Sequence, residues 1–167
     1  MSLTDQIRAD MTAAMRSGDE MRRDTLRMAL AAAQLAEKER RAPLTDDEVR
    51  AVVSREVKRR REAIEAYEHA GRTELADRER AEAQVLAAYL PEQLGGDELL
   101  PMVRAAIAET GATSARDMGR VMGRLMPLVK GRADGKVLSA LVAGELARAD
   151  LAAHDAAGHR GDIAAGD

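Results

Sequence analysis

Apolar residues recur at three- and four-residue intervals along most of this chain and rarely alternate, a pattern that predicts helices and almost no strand. The first series is Leu3, Ile7, Met11 and Met15, entered from Ser2 and ended at Gly18. A second helix is expected from about residue 19 to 41, with Met21, Leu26, Leu30 and Ala33 pointing inward, and Pro43 closes it. "TDDE" reads as a capping box, in which Thr45 accepts from the backbone while Glu48 reaches back, and opens a third helix continuing to Ala70. Gly71 suits a left-handed C-terminal residue. Thr73 is then expected to cap a fourth helix, whose apolar positions run through Leu75, Ala83, Leu86 and Leu90 before Pro91.

The third and fourth helices are long and joined by few residues, so they should fold back as an antiparallel hairpin. Their inward stripes are not purely apolar. At 100° per residue, Glu56 and Arg60 fall among Val49, Val52, Val53, Ile64 and Tyr67, while Glu79 and Glu82 fall among Leu75, Ala83 and Leu86. Folding about residues 71–73 brings Arg60 near Glu82, which predicts an interhelical ion pair whose effect is on register more than on stability.

A boundary follows in "YLPEQLGGD", residues 89–97, where Pro91 cannot extend a helix and Gly95-Gly96 offers a joint. Three shorter helices are expected beyond it, at about 97–109, 114–126 and 135–150, and Pro101 should kink or shorten the first. The fold class is therefore all-α: an N-terminal helical hairpin domain over 1–94, a small three-helix domain over 95–150, and a flexible tail over 151–167. That tail, "LAAHDAAGHRGDIAAGD", is rich in Ala, Gly and Asp and should fray.

Composition narrows the chemistry. Tyr67 and Tyr89 are the only aromatic residues, so packing must rest on aliphatic side chains and methionine. The absence of cysteine removes disulfides, thiolate nucleophiles and Cys-ligated metals together, and fits a reducing compartment. The start, "MSLTDQIRAD", is charged within five residues, unlike the apolar core of a signal peptide, and no apolar run approaches the ~20 residues of a membrane span. A cytoplasmic protein with no membrane partner is expected.

Net charge is −3, so any attraction for nucleic acid must be local. Residues 116–136 supply it: Arg116, Arg120, Arg124, Lys130, Arg132 and Lys136 stand against Asp117 and Asp134, a net of +4. "GRADGKV" within this stretch is not a nucleotide-phosphate loop, because only three residues separate Gly131 from Gly135 and Val137 follows Lys136 where Ser or Thr is needed. A dinucleotide fingerprint fails because no strand precedes it.

On a wheel of residues 114–126, Met118, Val121, Met122 and Leu125 cover one side, and Arg116, Arg120 and Arg124 repeat every four residues on the other. Gly119 and Gly123 fill the flank between. Each glycine costs about 1 kcal/mol of helix stability relative to Ala, so a reason is required. One is a smooth strip on which another backbone approaches closely, Gly131 adding to it in the following loop. The other is that the glycines serve packing inside the domain and the arginines are a solvated face. Asp134 is expected to cap the next helix, so its carboxylate would occupy the amide donors there and repel an anion, leaving side chains to hold phosphates. A second basic cluster, "KRRRE" at 58–62, is surrounded by glutamates and reads as a solvated, ion-paired face.

Catalytic equipment is scarce. His69 ends a helix, His154 and His159 lie in the expected tail, and spacing assembles no triad, metal site or acid/base pair. No catalytic residue, metal or cofactor is therefore assigned. Two tyrosines make no stacking platform for single strands, so a nucleic-acid partner would be a folded or duplex RNA read by backbone and shape.

"RREAIEAYEHAGRTELADRERAEAQVLAAYLPEQL" followed by "MGRVMGRLMPLVKGRADGKVLSALV" resembles the YqeY family of small bacterial proteins over nearly the whole span 1–150. The second motif resembles the tail domain of the B subunit of glutamine-dependent aspartyl/glutamyl-tRNA amidotransferase, hence the grouping GatB/YqeY. Gly119, Gly123, Lys130, Gly131, Arg132, Asp134 and Lys136 match the shared motif. The resemblance implies two helical domains, partnership with tRNA or with a tRNA-charging or amidotransferase complex, and a link to carbon–nitrogen ligase activity with glutamine as amido-nitrogen donor. Gly95-Gly96 departs from the family's more usual polar helix start. The residues themselves point to a non-catalytic adaptor, with a helical protein-interaction module as the alternative.

Overall fold

The computed structural model describes residues 1–161 and is all-helical among them. It divides into two compact units, Met1–Pro91 and a second beginning at Glu92. The first holds α1 (Leu3–Ser17), α2 (Glu20–Arg40), α3 (Asp46–His69) and α4 (Thr73–Ala87). The second holds α5 (Gly96–Thr110), a 3-10 turn (Ala115–Asp117), α6 (Met118–Val129) and α7 (Gly135–Gly161).

Local chemistry fixes many of the ends. The Ser2 hydroxyl accepts from the Asp5 amide at 3.1 Å while the Asp5 carboxylate takes the Ser2 N–H, and Thr45 and Glu48 exchange the same pair of bonds at 3.3 and 2.8 Å. Gly18 and Gly71 lie at φ 76° and 68°, the left-handed region that glycine enters without a Cβ penalty. Thr73, expected as a cap, is instead the first residue of α4, which has no side-chain cap.

The core of the first unit gathers Leu3 and Ile7 of α1, Leu26, Ala29 and Leu30 of α2, Val49, Val53 and Val57 of α3, and Leu86 with Tyr89. Each fully buried Leu or Val contributes roughly 1.5–3 kcal/mol. Three residues expected in this core are not: Met15, Met21 and Leu75 are exposed, and Ala14, Ala29 and Ala76 take the inward positions. Helical spacing gives each stripe, but the neighbour's position decides which edge of the stripe is covered. Tyr89 donates to the Asp10 carboxylate at 2.5 Å, and the Leu3 amide donates to Asp46 at 2.9 Å, so α1 is tied to the start of α3 and to the segment that follows α4.

Within the α3–α4 pair, Arg60 is buried although it belongs to the "KRRRE" cluster. Its Nε donates to Glu82 at 3.2 Å and its Nη1 to both the carbonyl and the carboxylate of Glu56, at 3.1 and 3.2 Å. Arg59 and Arg78 pair with the outer oxygens of Glu56 and Glu82, and Arg80 pairs with Glu68.

The second unit packs Leu99, Val103 and Ala106 of α5 against Val121, Leu125 and Val129 of α6 and Leu138, Val142 and Leu146 of α7. Gly96, expected to be part of a joint, lies in the first turn of α5, where Glu98 accepts from the Gly95 N–H at 3.0 Å. Pro101 and Pro127 sit inside α5 and α6 without ending them, so α6 reaches Val129 and not residue 126. The carbonyls that lack an N–H as a result belong to Asp97 and Gly123, both exposed, where water can take the bond. The expected tail is also corrected in part: α7 continues through residues 151–161, where alanines favour helix, although among its described side chains Leu146 is the last buried one. The remainder of that tail lies outside the described residues.

Candidate nucleic-acid interface

The basic stretch is built on α6 and the turns at its two ends. Val121, Leu125 and Val129 are buried and Met118 and Met122 pack half-buried beside them, so the opposite face, carrying Gly119, Arg120, Gly123 and Arg124, is exposed. A Cβ built at Gly119 or Gly123 would meet no heavy atom within 4 Å. The packing explanation for these glycines is thereby removed: neither lies under a neighbouring helix.

The arginine row is shorter than the wheel suggested. Asp117 Oδ2 accepts from the backbone amides of Thr113 and Ser114 at 2.9 and 3.3 Å, and the Asp117 amide donates to the Ser114 carbonyl, winding residues 115–117 into a 3-10 turn. Arg116 stands on that turn and not on the α-helix, so only Arg120 and Arg124 form a ridge. Both are engaged from within the chain. Arg120 bonds Asp117 at 2.6 Å and the Thr110 carbonyl at 3.1 Å, and Arg124 bonds Glu109 at 2.7 Å. Their side chains nevertheless remain 60% and 51% exposed. The Thr113 amide, then Arg120 and the Ser114 amide, hold the Asp117 carboxyl at a pKa of about 2, so it is ionised throughout the neutral range.

The α6–α7 loop is strapped to the segment before α5. Arg132 Nε donates to the Glu92 carbonyl at 3.2 Å, Gln93 Nε2 to the Gly131 carbonyl at 2.9 Å, and the Leu94 amide to the Arg132 carbonyl at 2.7 Å. Gly131 adopts φ 74°, so this tight turn accounts for its glycine without any approaching partner. Asp134 Oδ1 accepts from the Lys136 amide at 2.8 Å, which places a carboxylate at the N-terminus of α7 and leaves no anion site there. Arg116, Lys130 and Lys136 are exposed, and among the described residues no carboxylate pairs with them.

Two features were not read from sequence. Glu109, on α5, neutralises part of the ridge from fifteen residues away, a tertiary contact with no local signal. Met126, Leu128 and Val137 are exposed beside Lys130 and Lys136, giving the loop end of the surface an apolar component. No grouping of His, Asp and Glu able to hold a metal occurs among the described residues, and no described helix is long and apolar enough to cross a membrane.

A family model described as Yqey-like protein matches residues 4–146, which include both the α3–α4 segment and this whole surface. The chain belongs to the YqeY family. It is 33% identical over 132 residues to "Altered inheritance of mitochondria protein 41, mitochondrial" of Pyrenophora tritici-repentis, covering 77% of this chain and 71% of that protein. It is also 33% identical over 86 residues to an uncharacterized protein of Schizosaccharomyces pombe, covering 52% of this chain and 70% of the relative. In this YqeY-family chain the bare strip and both paired arginines lie inside the matched span.

Proposed function

We propose that this chain is a non-catalytic cytoplasmic adaptor whose second unit binds tRNA, alone or as part of an amidotransferase-type complex. In this reading a hairpin of long helices precedes a three-helix domain of the kind that closes the amidotransferase B subunit, and any carbon–nitrogen ligase chemistry belongs to other chains of such an assembly. The observation that carries it is the strip at Gly119 and Gly123, open to solvent to at least 4 Å, alongside the exposed guanidinium groups of Arg120 and Arg124. A sugar–phosphate backbone can lie close against such a strip while the guanidinium groups beside it reach the phosphates. Arg116, Lys130 and Lys136 extend the cationic surface without competition from carboxylates of the described residues, and Arg132 contributes from the strapped loop.

The test is filter binding of unfractionated tRNA by the full chain, compared with a variant carrying Arg116→Ala, Lys130→Ala and Lys136→Ala. These exposed, unpaired side chains can be removed without disturbing the fold, and retention should fall while the thermal melt is unchanged. Equal retention by that variant and by Arg120→Glu/Arg124→Glu would refute RNA binding at this surface. The exposed Met126, Leu128 and Val137 favour a second reading, a protein-docking module, in which pull-down of a protein partner survives nuclease and high salt.

A further inference from the structure

The outer face of α2 is apolar where nothing within the first unit covers it. Met21, Met28 and Leu35 are 37%, 55% and 58% exposed, each seven residues from the next, with Ala31 exposed and Ala32 half-buried beside them. Seven residues are nearly two whole turns, so the three side chains form one stripe that drifts only about 20° per step. The stripe lies to one side of the arc that α2 buries, which is made of Thr25, Leu26, Ala29, Leu30 and Ala33. Single exposed apolar residues are ordinary, but a heptad row of three has the spacing of a helix–helix seam.

Two further features identify what covers it. At the Leu35 end, a groove of about 190 Å³ opens between α2 and α3, lined by the small and aliphatic side chains of Ala32, Leu35, Ala36 and Val52 and by charges of both signs, Glu39 and Glu56 with Arg55 and Arg59. At the other end Met21 projects from the same stripe. A two-fold axis at Met28 would set a second copy antiparallel, with Met28 against its own counterpart and Met21 of each copy over the Leu35 groove of the other. Methionine, flexible and polarizable, suits such a groove. Glu20 and Lys38 lie on one flank of the stripe, eight residues before Met28 and ten after it, so the same axis brings them within about 3 Å along the helix, twice. Within its own chain Glu20 approaches Arg23 only to 3.9 Å and is 80% exposed, and Lys38 is exposed.

We propose that the outer face of α2 pairs two copies of this chain antiparallel about a two-fold axis at Met28, knob into groove at both ends and Glu20 to Lys38 along the flank. The inference is independent of RNA binding by the second unit. Sedimentation equilibrium of the full chain should show a reversible monomer–dimer exchange. Met28→Asp sets two carboxylates against each other at the axis and should weaken it by about tenfold or more, with the melt retained because Met28 is exposed. Glu20→Lys and Lys38→Glu should each weaken self-association, yet an equimolar mixture of the two variants should regain it, because the mixed dimer restores both ion pairs. The chain has no cysteine, so Met28→Cys should crosslink to itself on mild oxidation, whereas Gln34→Cys, on another face of α2, should not. A chain that remains monomeric at every concentration, a dimer indifferent to Met28→Asp, or charge variants that fail to complement would each overturn the proposal.

Discussion

Replacing Gly119 and Gly123 together by alanine should make the protein more stable and its hold on RNA weaker. Both glycines lie in α6 with ordinary helical backbone, and neither added methyl would touch another part of the chain. The substitution therefore recovers helix propensity with no steric cost, about 1 kcal/mol at each position and roughly 2 kcal/mol together. For a unit of this size, each kcal/mol corresponds to about 4–8 °C in melting temperature. On the functional side, two methyl groups now stand on the strip proposed for close approach, and losing contact worth about 1.4 kcal/mol lowers affinity tenfold. Circular-dichroism melts and tRNA filter binding on the same preparations read the two effects. A lower melting temperature would mean the glycines are needed inside the chain, against the open space found around them. A raised melting temperature with unchanged retention would show that no partner uses the strip.

Three other outcomes test separate parts of the structure. Arg60→Ala strands Glu56 and Glu82 at the α3–α4 contact and should cost about 3–5 kcal/mol in urea unfolding, whereas Arg60→Met with Glu56→Leu and Glu82→Leu should recover most of it; a cost below ~1 kcal/mol for the single change would show that water already screens the cluster. Tyr89→Phe removes a buried hydroxyl bonded to Asp10 and should cost about 1.5–3 kcal/mol. Burial and then Asp10 push the Tyr89 phenol up to about 12, so the unfolded chain ionises first and stability should decline as pH rises from about 10 to 12, a decline that Tyr89→Phe lessens. Asp117, held at about 2, has the opposite sign: its contribution is complete above the unfolded value of about 3.9 and is lost as pH falls towards 2, so acid titration of stability should be shallower in Asp117→Asn, and equal slopes would deny the carboxylate that role.

The parts of this fold legible in sequence are those decided within one turn of chain. The Thr45–Glu48 box, the helix end at Gly18 and the left-handed Gly71 depend on residues at most four apart, and the series Leu3–Ile7 and Val49–Val53 requires only helical spacing. What failed depends on a neighbour. Met21 sits on the edge of its stripe and is exposed because α1, α3 and α4 cover the other edge. Pro101 was expected to kink or shorten its helix, and the sixth helix was expected to end at about 126, just before Pro127, but the bonds these prolines remove fall on exposed carbonyls, so the helices pass through them. The basic face was visible as a charge row with Asp117 beside it, yet its partners from α5, the Glu109 carboxylate and the Thr110 carbonyl, were not, because they are brought there by tertiary packing. Gly131 looked equivalent to Gly119 and Gly123 in composition; only its backbone angle separates a turn glycine from two that no contact explains.

That separation divides the six basic residues by how readily each can meet a phosphate. Arg120 and Arg124 must exchange Asp117 and Glu109 for a new anion, and since exposed ion pairs contribute about 0–1 kcal/mol, the exchange is easy in energy but gains little unless the phosphate geometry is better. Arg132 holds the Glu92 carbonyl and the loop with it, so its recruitment would loosen the strap. Among the described residues Arg116, Lys130 and Lys136 have no such contact to give up. Counterion release makes the division measurable, because affinity falls with salt at about 0.9 per duplex phosphate neutralised on logarithmic axes. A slope near −3 would match the three unpaired cations alone, and one near −5 would require the paired arginines and Arg132 to change partners. In the second case Glu109→Gln, which frees Arg124 beforehand, should tighten binding; in the first it should leave affinity nearly as it was.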